Sequence, residues 1–412
     1  LFCISLVLKK VLRMAKLPVR TDGKETLNRI LDNAKRLFAA NGFRGVSIPM
    51  VARLAGIRTP SFYHYFSDKI SLYKEIVEHA LEDFRNYIER PLPQDLEGFL
   101  RSFMDNYLGF MLDFPEDFRI LKEACHFSES ILESVNKLIH SILDRLPIPG
   151  VEEMNSKILE LFIISPVRWI GTHKSLRPDY RFDKLALVND LLDFALHGFD
   201  PGSHRPSNEA FEVSFQPMIL EMKSTRAALM EAAESLFGTQ GFHDTYISDI
   251  TRNAGVASGT FYVHFKDKRA ILEELIAATS RGLRHTVATV IANFSDRRDA
   301  EIAGFKANLE YFRVHKNMCN IVNETEFIYP EIWKDYYDRI QNSWIRAIKK
   351  AFQDNQMRPF DPSRLSLFLM GIGHYLTEDL VVHGNGSSED FASSLRDLSR
   401  FLYKGLNSAI RM

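Results

Sequence analysis

Two stretches of this 412-residue chain, "FYHYFSDK" at Phe62–Lys69 and "FYVHFKDK" at Phe261–Lys268, determine its predicted organisation. They lie 199 residues apart, and the same step aligns "GFRGVSIPMVARLAGIRTPSFYHYFSDK" with "GFHDTYISDITRNAGVASGTFYVHFKDK" without a gap. Turn glycines and aromatic residues coincide in this alignment: Gly42 with Gly241, Gly56 with Gly255, Phe43 with Phe242, Phe62 with Phe261, Tyr63 with Tyr262 and Phe66 with Phe265. This self-similarity predicts two copies of one structural unit.

The composition is that of a globular protein with more than one core. A chain of 412 residues exceeds one ordinary domain, and 45% apolar with 25% charged residues argues against extensive disorder. The formal net charge of −1 excludes a uniformly basic surface. Any contact with nucleic acid must therefore come from a local basic patch.

Each copy is predicted to form three short helices. In "TLNRILDNAKRLFAANGF" apolar residues recur at helical spacing, and Gly42 follows where a left-handed helix end is favoured. Ser47 is expected to cap a second helix, and Gly56 allows a tight turn after it. Thr59 is expected to cap a third helix that ends near Tyr65. Two short helices around a glycine turn predict a helix-turn-helix.

The segments that follow these heads are also predicted to be helical. Amphipathic runs such as "LYKEIVEHALEDFRNYIER" and "PEIWKDYYDRIQNSWIRAIKKAF" fill both, and no run alternates convincingly at period two. The fold class is therefore all-α, with two tandem units of a head and a helical body. The predicted boundaries are an N-terminal extension at 1–15, head 1 at 16–74, body 1 at 75–198, a Gly-, Pro- and Ser-rich linker at 199–221, head 2 at 222–273 and body 2 at 274–412.

The run Gly-Phe, Ala55–Ile57, Phe-Tyr-His-Tyr-Phe and Asp-Lys resembles the DNA-binding head of the TetR/AcrR repressors. The resemblance implies a body that binds a small molecule and dimerises, with two recognition helices in successive major grooves about 34–36 Å apart. One chain with two such units is expected to be a functional monomer, as an intramolecular pseudo-dimer, or a homodimer. We expect "SKILELFIISPVRWIGTHK", "DKLALVNDLLDFALHGF" and their second-copy equivalents to form a four-helix interface.

The resemblance also assigns candidate DNA contacts in head 1. Tyr63 and Lys69 match phosphate-binding positions, and Ser47 matches a helix cap that also touches phosphate. Four residues match positions that face the groove: Arg58, Thr59, Ser61 and His64. Arg58 has the donor geometry for guanine O6 and N7, although a generic surface arginine is an equal alternative.

Head 2 keeps some of these positions and changes others. Its predicted DNA contacts are Ser258, Thr260, Tyr262 and Lys268, whereas Tyr246, Ala257 and Val263 replace Ser47, Arg58 and His64. Residues 16–74 contain 11 Lys and Arg against four Asp and Glu, a balance of +7, but residues 215–273 contain six against seven. Phosphate neutralisation supplies most non-specific affinity, so head 1 is expected to dominate DNA binding.

Several side chains of the bodies are candidates for lining an effector cavity, although core packing is the more frequent role for any one of them: Arg168, Trp169, His173, Trp344, His374 and Tyr375. Pro166 is expected to kink its helix. The chain has no phosphate-binding glycine loop, zinc-ligand spacing or nucleophile elbow, so no enzyme activity, cofactor or metal is predicted. Three scattered cysteines indicate reduced thiols in a cytoplasmic protein.

These observations predict a DNA-binding transcriptional regulator, more specifically a repressor released by a small apolar or amphipathic effector. Its partner is a double-stranded DNA operator that is asymmetric because the two heads differ. No membrane partner is predicted, since the apolar run "LFCISLVL" is too short to span a bilayer. Two alternatives stay open: a DNA-binding regulator without a ligand, and a protein–protein adaptor with a degenerate second head.

Overall fold

The computed structural model describes residues 21–148, 155–202, 204–213, 224–384 and 386–407. The predicted extension at 1–15 and part of the predicted linker lie outside these ranges. The described chain is helical, contains no strand, and forms two compact units, so the all-α prediction is confirmed. The first unit holds the described residues up to Gln94 with Asp105–Leu146; the second holds Asp95–Met104 and the described residues from Pro147 onward.

The first repeat begins with the helices of head 1 and continues into body 1. In chain order these are α1 (Thr21–Gly45), α2 (Ile48–Leu54), α3 (Thr59–Phe62), α4 (Lys69–Ile88), α5 (Leu96–Asp113), α6 (Pro115–Phe127) and α7 (Glu129–Leu143). The core of head 1 is formed by buried apolar residues that include Leu27, Ile30, Ala34, Phe38, Val51 and Phe62. Tyr73 of α4 and Ile120 of α6 join the same core. Head 1 therefore shares its core with the body helices.

The remaining helices belong to the second unit. They are α8 (Ser156–Leu176), α9 (Lys184–His197), α10 (Asn208–Phe211), α11 (Thr225–Gln240), α12 (Ile247–Asn253), α13 (Ser258–His264), α14 (Lys268–Ile291), α15 (Arg297–Val314), α16 (Lys316–Ile328), α17 (Pro330–Gln353), α18 (Pro362–Thr377), a π-helix (Glu378–His383) and α19 (Ser388–Lys404). Helices α11–α13 form head 2, which repeats the order of α1–α3.

The predicted turn glycines adopt the backbone that the sequence pattern requires. Gly42 interrupts α1 with φ 68°, and Gly241 ends α11 with φ 88°. Gly56 and Gly255, between the second and third helices of each head, have φ 70° and 69°. These left-handed conformations strain residues with a Cβ atom, which explains why glycine occupies both copies.

Three details of head 1 differ from the sequence prediction. Ser47 holds the N-cap position of α2, but its side chain makes no capping hydrogen bond. Arg58, and not Thr59, is the N-cap residue of α3. Helix α3 ends at Phe62, and a tight turn continues to Tyr65. Pro60 lies in the first turn of α3 and has no backbone N–H. The N–H groups of a first helical turn have no partner inside the helix, so proline is tolerated there.

The predicted four-helix interface is present within the second unit. Helices α8 and α9 of the first repeat pack against α18 and α19 of the second repeat. Phe162 of α8 contacts Phe194 at 5.2 Å and Phe401 at 5.5 Å between ring centroids, and Phe194 contacts Phe368 at 5.6 Å. The segment Pro362–His383 is long and apolar enough to span a membrane, but 72% of its most apolar window is buried in this core.

The two repeats contact each other reciprocally at the ends of their last helices. Gly198 follows α9 with φ 62°, and a Cβ atom there would lie 2.5 Å from the Leu402 carbonyl oxygen. Gly405 follows α19 with φ 60°, and a Cβ atom there would lie 2.3 Å from the His197 nitrogen. Each helix end thus rests on the backbone of the other, which is the pattern of an isologous dimer contact made inside one chain.

The described part of the predicted linker is folded onto the second repeat. Phe199 is fully buried, and the Asp200 carboxylate accepts a hydrogen bond from Arg298 at 2.6 Å. The His204 ring lies 2.9 Å from Asp299, measured from Nε2 to Oδ1. Helix α10 packs against α15 and α19. Residues 199–202 and 204–211 therefore form a strap that is folded onto the second repeat.

The close approach of α8 and α18 generates a stability prediction. A Cβ atom on Gly371 would lie 2.5 Å from the Ser165 carbonyl oxygen and 2.7 Å from the Trp169 Cβ atom. We expect Gly371→Ala to lower the free energy of unfolding by about 1–3 kcal/mol, because neither backbone can yield without moving a helix. Thermal unfolding monitored by circular dichroism measures the effect. Gly202→Ala is the control, since no atom lies within 4 Å of its added Cβ; equal melting temperatures would contradict the prediction.

Candidate DNA interface and effector cavity

Head 1 presents a polar surface around its third helix. Ser47, Arg58 and His64 are exposed. Thr59 and Ser61 on α3 are half-buried. Tyr63 is 50% exposed, which is unusual for a large aromatic side chain, and its ring packs edge-on against Phe62. Because the Ser47 side chain makes no cap hydrogen bond, its hydroxyl is available to a phosphate. These predicted base-facing and phosphate-facing residues thus lie at the start of α2 and along α3 and the turn after it, each at least partly exposed.

Lys69 has a structural role that the sequence did not predict. Its Nζ donates to the carbonyl oxygens of Phe43 and Val46, both at 2.9 Å, and lies 4.3 Å from the centre of the Phe43 ring. An ammonium group has three donors, and these two bonds tie the start of α4 to the loop before α2. Lys69 therefore fixes the head geometry, and its predicted phosphate contact stays a prediction.

A buried glutamate attaches head 1 to the body. The Glu123 carboxylate on α6 accepts from the Phe43 backbone N–H at 2.7 Å and from the Tyr73 hydroxyl at 3.0 Å. Burial raises the pKa of Glu123 to about 7, although both hydrogen bonds favour the ionised form. A second contact of this kind is the ion pair between Lys35 of α1 and Asp117 of α6, at 2.6 Å.

Head 2 repeats the attachment but not the surface chemistry. Lys268 donates to the Phe242 carbonyl oxygen at 2.5 Å and to that of Thr245 at 2.7 Å, and loss of hydration lowers its pKa. The Phe242 backbone N–H donates to Glu324 of α16 at 3.0 Å. The geometry that positions the third helix is therefore the same in both heads.

Three large apolar or aromatic side chains are exposed in head 2. Tyr246, Tyr262 and Val263 are 67%, 62% and 78% exposed, and no arginine stands at the position of Arg58. The predicted contact residues Ser258 and Thr260 lie on α13 beside these side chains, Ser258 exposed and Thr260 half-buried. This surface offers methyl, aromatic and hydroxyl contacts but little positive charge.

A cavity of about 480 Å³ opens among α14, α15, α16, α17 and α18 of the second repeat. Its apolar wall includes Val287, Ile291, Phe305, Ile340 and Trp344. Polar side chains stand at both ends, and His374 and Thr377 contribute from α18. Small-molecule sites in proteins range from roughly 300 to 1,000 Å³ and combine such walls with a few polar groups, so this cavity has the size and lining of a ligand site.

The structure brings two of the six predicted lining residues to this cavity, Trp344 and His374. Arg168 instead stacks on Tyr375, with its guanidinium carbon 4.8 Å from the ring centre. His173 is buried against Tyr180, and burial lowers its pKa to about 3. These side chains belong to the packing of α8 and α18, as the core-packing alternative predicts.

Trp169 of α8 lies directly behind the cavity wall. Its ring centroid is 4.8 Å from that of His374 and 4.7 Å from that of Tyr337, both of which line the cavity. The Tyr337 hydroxyl lies 2.9 Å from His374 Nδ1, and loss of hydration raises the pKa of Tyr337 well above its usual value. Tyr337 therefore stays protonated, and its hydroxyl and His374 Nδ1 share one hydrogen bond. The cavity wall and the four-helix interface share these aromatic rings.

A comparison with known protein families finds the same match at both heads. The family model for bacterial regulatory proteins of the tetR family matches residues 30–76 and again residues 229–275. Both heads therefore belong to the TetR family. It is similar to the uncharacterised HTH-type transcriptional regulator YdgC of Bacillus subtilis, with 24% identity over 180 residues that span 42% of this chain and 90% of YdgC. The repressor KstR2 of Mycobacterium tuberculosis is 22% identical over 147 residues, covering 34% of this chain and 72% of KstR2.

Each of these relatives matches the length of about one repeat. Among solved structures, FadR from Bacillus subtilis in complex with stearoyl-CoA covers 43% of this chain and 97% of its own, at 15% identity and a TM-score of 0.39. The two family matches show that the chain carries this DNA-binding head twice in tandem, and the relatives YdgC and KstR2 are HTH-type transcriptional regulators.

The pKa of Glu123 predicts how the stability of the first unit depends on pH. An unfolded glutamic acid releases its proton near 4.5, but the buried one keeps it to about 7, so folding takes up a proton between these values. Stability should fall as pH rises through this interval, by up to about 1.4 kcal/mol per pH unit. We expect Glu123→Gln to weaken this dependence, because an amide does not titrate in this pH range. The amide oxygen can still accept the Phe43 N–H, so the contact itself is kept.

Urea unfolding of the full chain at several pH values from about 4.5 to about 7 measures this effect. Glu133→Gln is the matched control, since Glu133 is exposed on α7. A Glu123→Gln chain whose stability falls with pH as steeply as the unaltered chain would contradict the assignment.

Proposed function

We propose that this protein is a repressor that binds an asymmetric operator and is released when a small molecule occupies the second-repeat cavity. The proposal rests on head 1, where Arg58, Tyr63 and His64 are exposed. The formal charge of residues 16–74 is +7, which favours contact with DNA phosphates. The cavity of about 480 Å³ favours an effector-controlled regulator over one without a ligand. A cytoplasmic location follows from access to DNA.

The functional unit of this proposal is one chain. The intramolecular four-helix interface supplies the contact that the family resemblance assigns to a second subunit, so both heads come from one polypeptide. Head 1 carries the strong base preference and the larger share of phosphate attraction. Head 2 contributes shape and methyl contacts through Tyr262 and Val263.

Release requires that the effector bind the DNA-incompetent conformation more tightly than the DNA-bound one. The cavity contacts elements that are suited to this coupling. Cys319, Val322 and Asn323 line the cavity on α16, and the next residue, Glu324, accepts the hydrogen bond from Phe242 of head 2. On the other side, His374 contacts Trp169 of the first repeat. A ligand that displaces α16 or α18 would act on both repeats.

A second candidate role applies to head 2 alone. Its exposed Tyr246, Tyr262 and Val263 would suit a protein surface as well as a DNA groove, because they offer large apolar contacts and little charge. In that case head 2 is an adaptor and only head 1 reads DNA.

Selection of bound sequences from a random DNA pool tests the proposal. We expect one half-site with high information content and a second with low information content, because Arg58 and Val263 cannot read the same bases. Arg58→Ala should weaken operator binding by about 1–3 kcal/mol. The matched change in head 2, Val263→Ala, should cost much less. Mobility-shift titration of both variants at fixed salt measures this difference.

A palindromic consensus with equal information in both halves would overturn the asymmetric operator. It would show that two chains present identical first heads, and it would favour the adaptor role for head 2. Failure of the full chain to retain any DNA from the pool would overturn the repressor proposal as a whole.

A further inference from the structure

The second-repeat cavity has an uneven charge distribution. Three arginines line it, Arg281, Arg284 and Arg297, and the one carboxylate of the lining is Glu301. Glu301 is already engaged, because it accepts from the Trp344 indole N–H at 2.9 Å and forms an ion pair with Arg297. The positive charge of Arg281 and Arg284 therefore has no counterpart in the cavity wall.

The two ends of the cavity are separated along α14. At one end, a Cβ atom on Gly282 would meet the Tyr311 hydroxyl at 2.7 Å, which places Arg281 and Arg284 beside the last turns of α15. At the other end, Ile291 lies against Gly304, near the pair of Arg297 and Glu301 at the start of α15. The apolar wall lies between these ends.

The end with Arg281 and Arg284 is rich in hydrogen-bond donors. Arg284 Nε donates to the Ser280 carbonyl oxygen at 3.0 Å, and neither arginine forms an ion pair with a described residue. Asn323 of α16 also lines the cavity, but its side-chain nitrogen is fully buried, so Arg281 and Arg284 are the charged donors that a ligand can reach.

We propose that the second-repeat cavity binds an apolar chain that ends in a carboxylate, with the carboxylate at Arg281 and Arg284 and the chain along Phe305, Ile340 and Trp344. Both arginines are donors, which matches a group that only accepts hydrogen bonds. A cationic head is disfavoured because the only carboxylate of the wall is neutralised by Arg297. This inference rests on the proposed function, since it names the class of effector for the same cavity.

Intrinsic fluorescence gives a direct binding test on the full chain. The emission of all three tryptophans should change when a ligand fills the cavity. Trp344 lines the cavity, and Trp169 and Trp333 pack against Tyr337, which also lines it. The probes are decanoate, decanol and decyltrimethylammonium, each below its micelle concentration. We expect decanoate to bind at least about tenfold more tightly than decanol, and the cation to bind more weakly than either.

Variants locate the carboxylate. The double change Arg281→Gln with Arg284→Gln should reduce decanoate affinity to that of decanol and leave decanol affinity unchanged. Arg284→Lys in an otherwise unaltered chain should retain most of the preference for decanoate, because it keeps the charge. Arg339→Gln is the matched control, since Arg339 is exposed on α17 and lies outside the cavity lining.

The outcomes separate this inference from the proposed function. Equal binding of decanoate and decanol would overturn the carboxylate assignment while the cavity remains a ligand site. Absence of binding by all three probes would also overturn it. If decanoate binds with the expected preference but leaves the mobility shift of the selected operator unchanged, the ligand class stands and effector-controlled repression is contradicted.

Discussion

The architecture depends on the direct backbone contact between the two repeats. Gly198 and Gly405 let each last helix rest on the main chain of the other, and Gly371 lets α18 approach the Ser165 carbonyl oxygen. Contacts at this distance exclude any side chain, so they fix the register of the four helices more strictly than apolar packing does. The strap, residues 199–202 and 204–211, begins at the same surface, where the backbone N–H groups of Phe199 and Asp200 donate to the Leu402 and Tyr403 carbonyl oxygens. The two repeats thus share one helical interface inside the second unit.

Within each repeat, a carboxylate determines how the head meets the body. Glu123 and Glu324 each accept the backbone N–H of the phenylalanine that follows a left-handed glycine, and Lys69 and Lys268 each bind the carbonyl groups of the same loop. A buried carboxylate is expensive unless it is hydrogen-bonded, so its presence in both copies indicates a positional requirement. The two heads thus keep the framework that holds the third helix and differ in the side chains that this helix displays.

The sequence predicted what local patterns determine. Glycines with positive φ, helical periodicity and the 199-residue step gave the heads, the all-α class and the interface helices. The roles of Glu123 and Glu324 were not predicted. These residues lie 201 positions apart, two more than the repeat step, and a single acidic residue on a helix forms no recognisable pattern. The cavity was predicted only in part: Trp344 and His374 line it as expected, but five helices meet there, and side chains such as Arg284 and Asn323 come to one cavity only through tertiary packing.

The differences between the repeats point to a division of tasks. In a homodimer every head and every cavity occurs twice, so a ligand acts on equal half-sites. Here the arginine suited to base recognition stands in the first repeat, whereas the described cavity is lined by residues of the second. The contact between His374 and Trp169 crosses from the second repeat to the first inside one unit. Duplication in one chain removes the symmetry constraint that keeps two subunits identical, so each copy is free to change while both keep the residues of the shared interface.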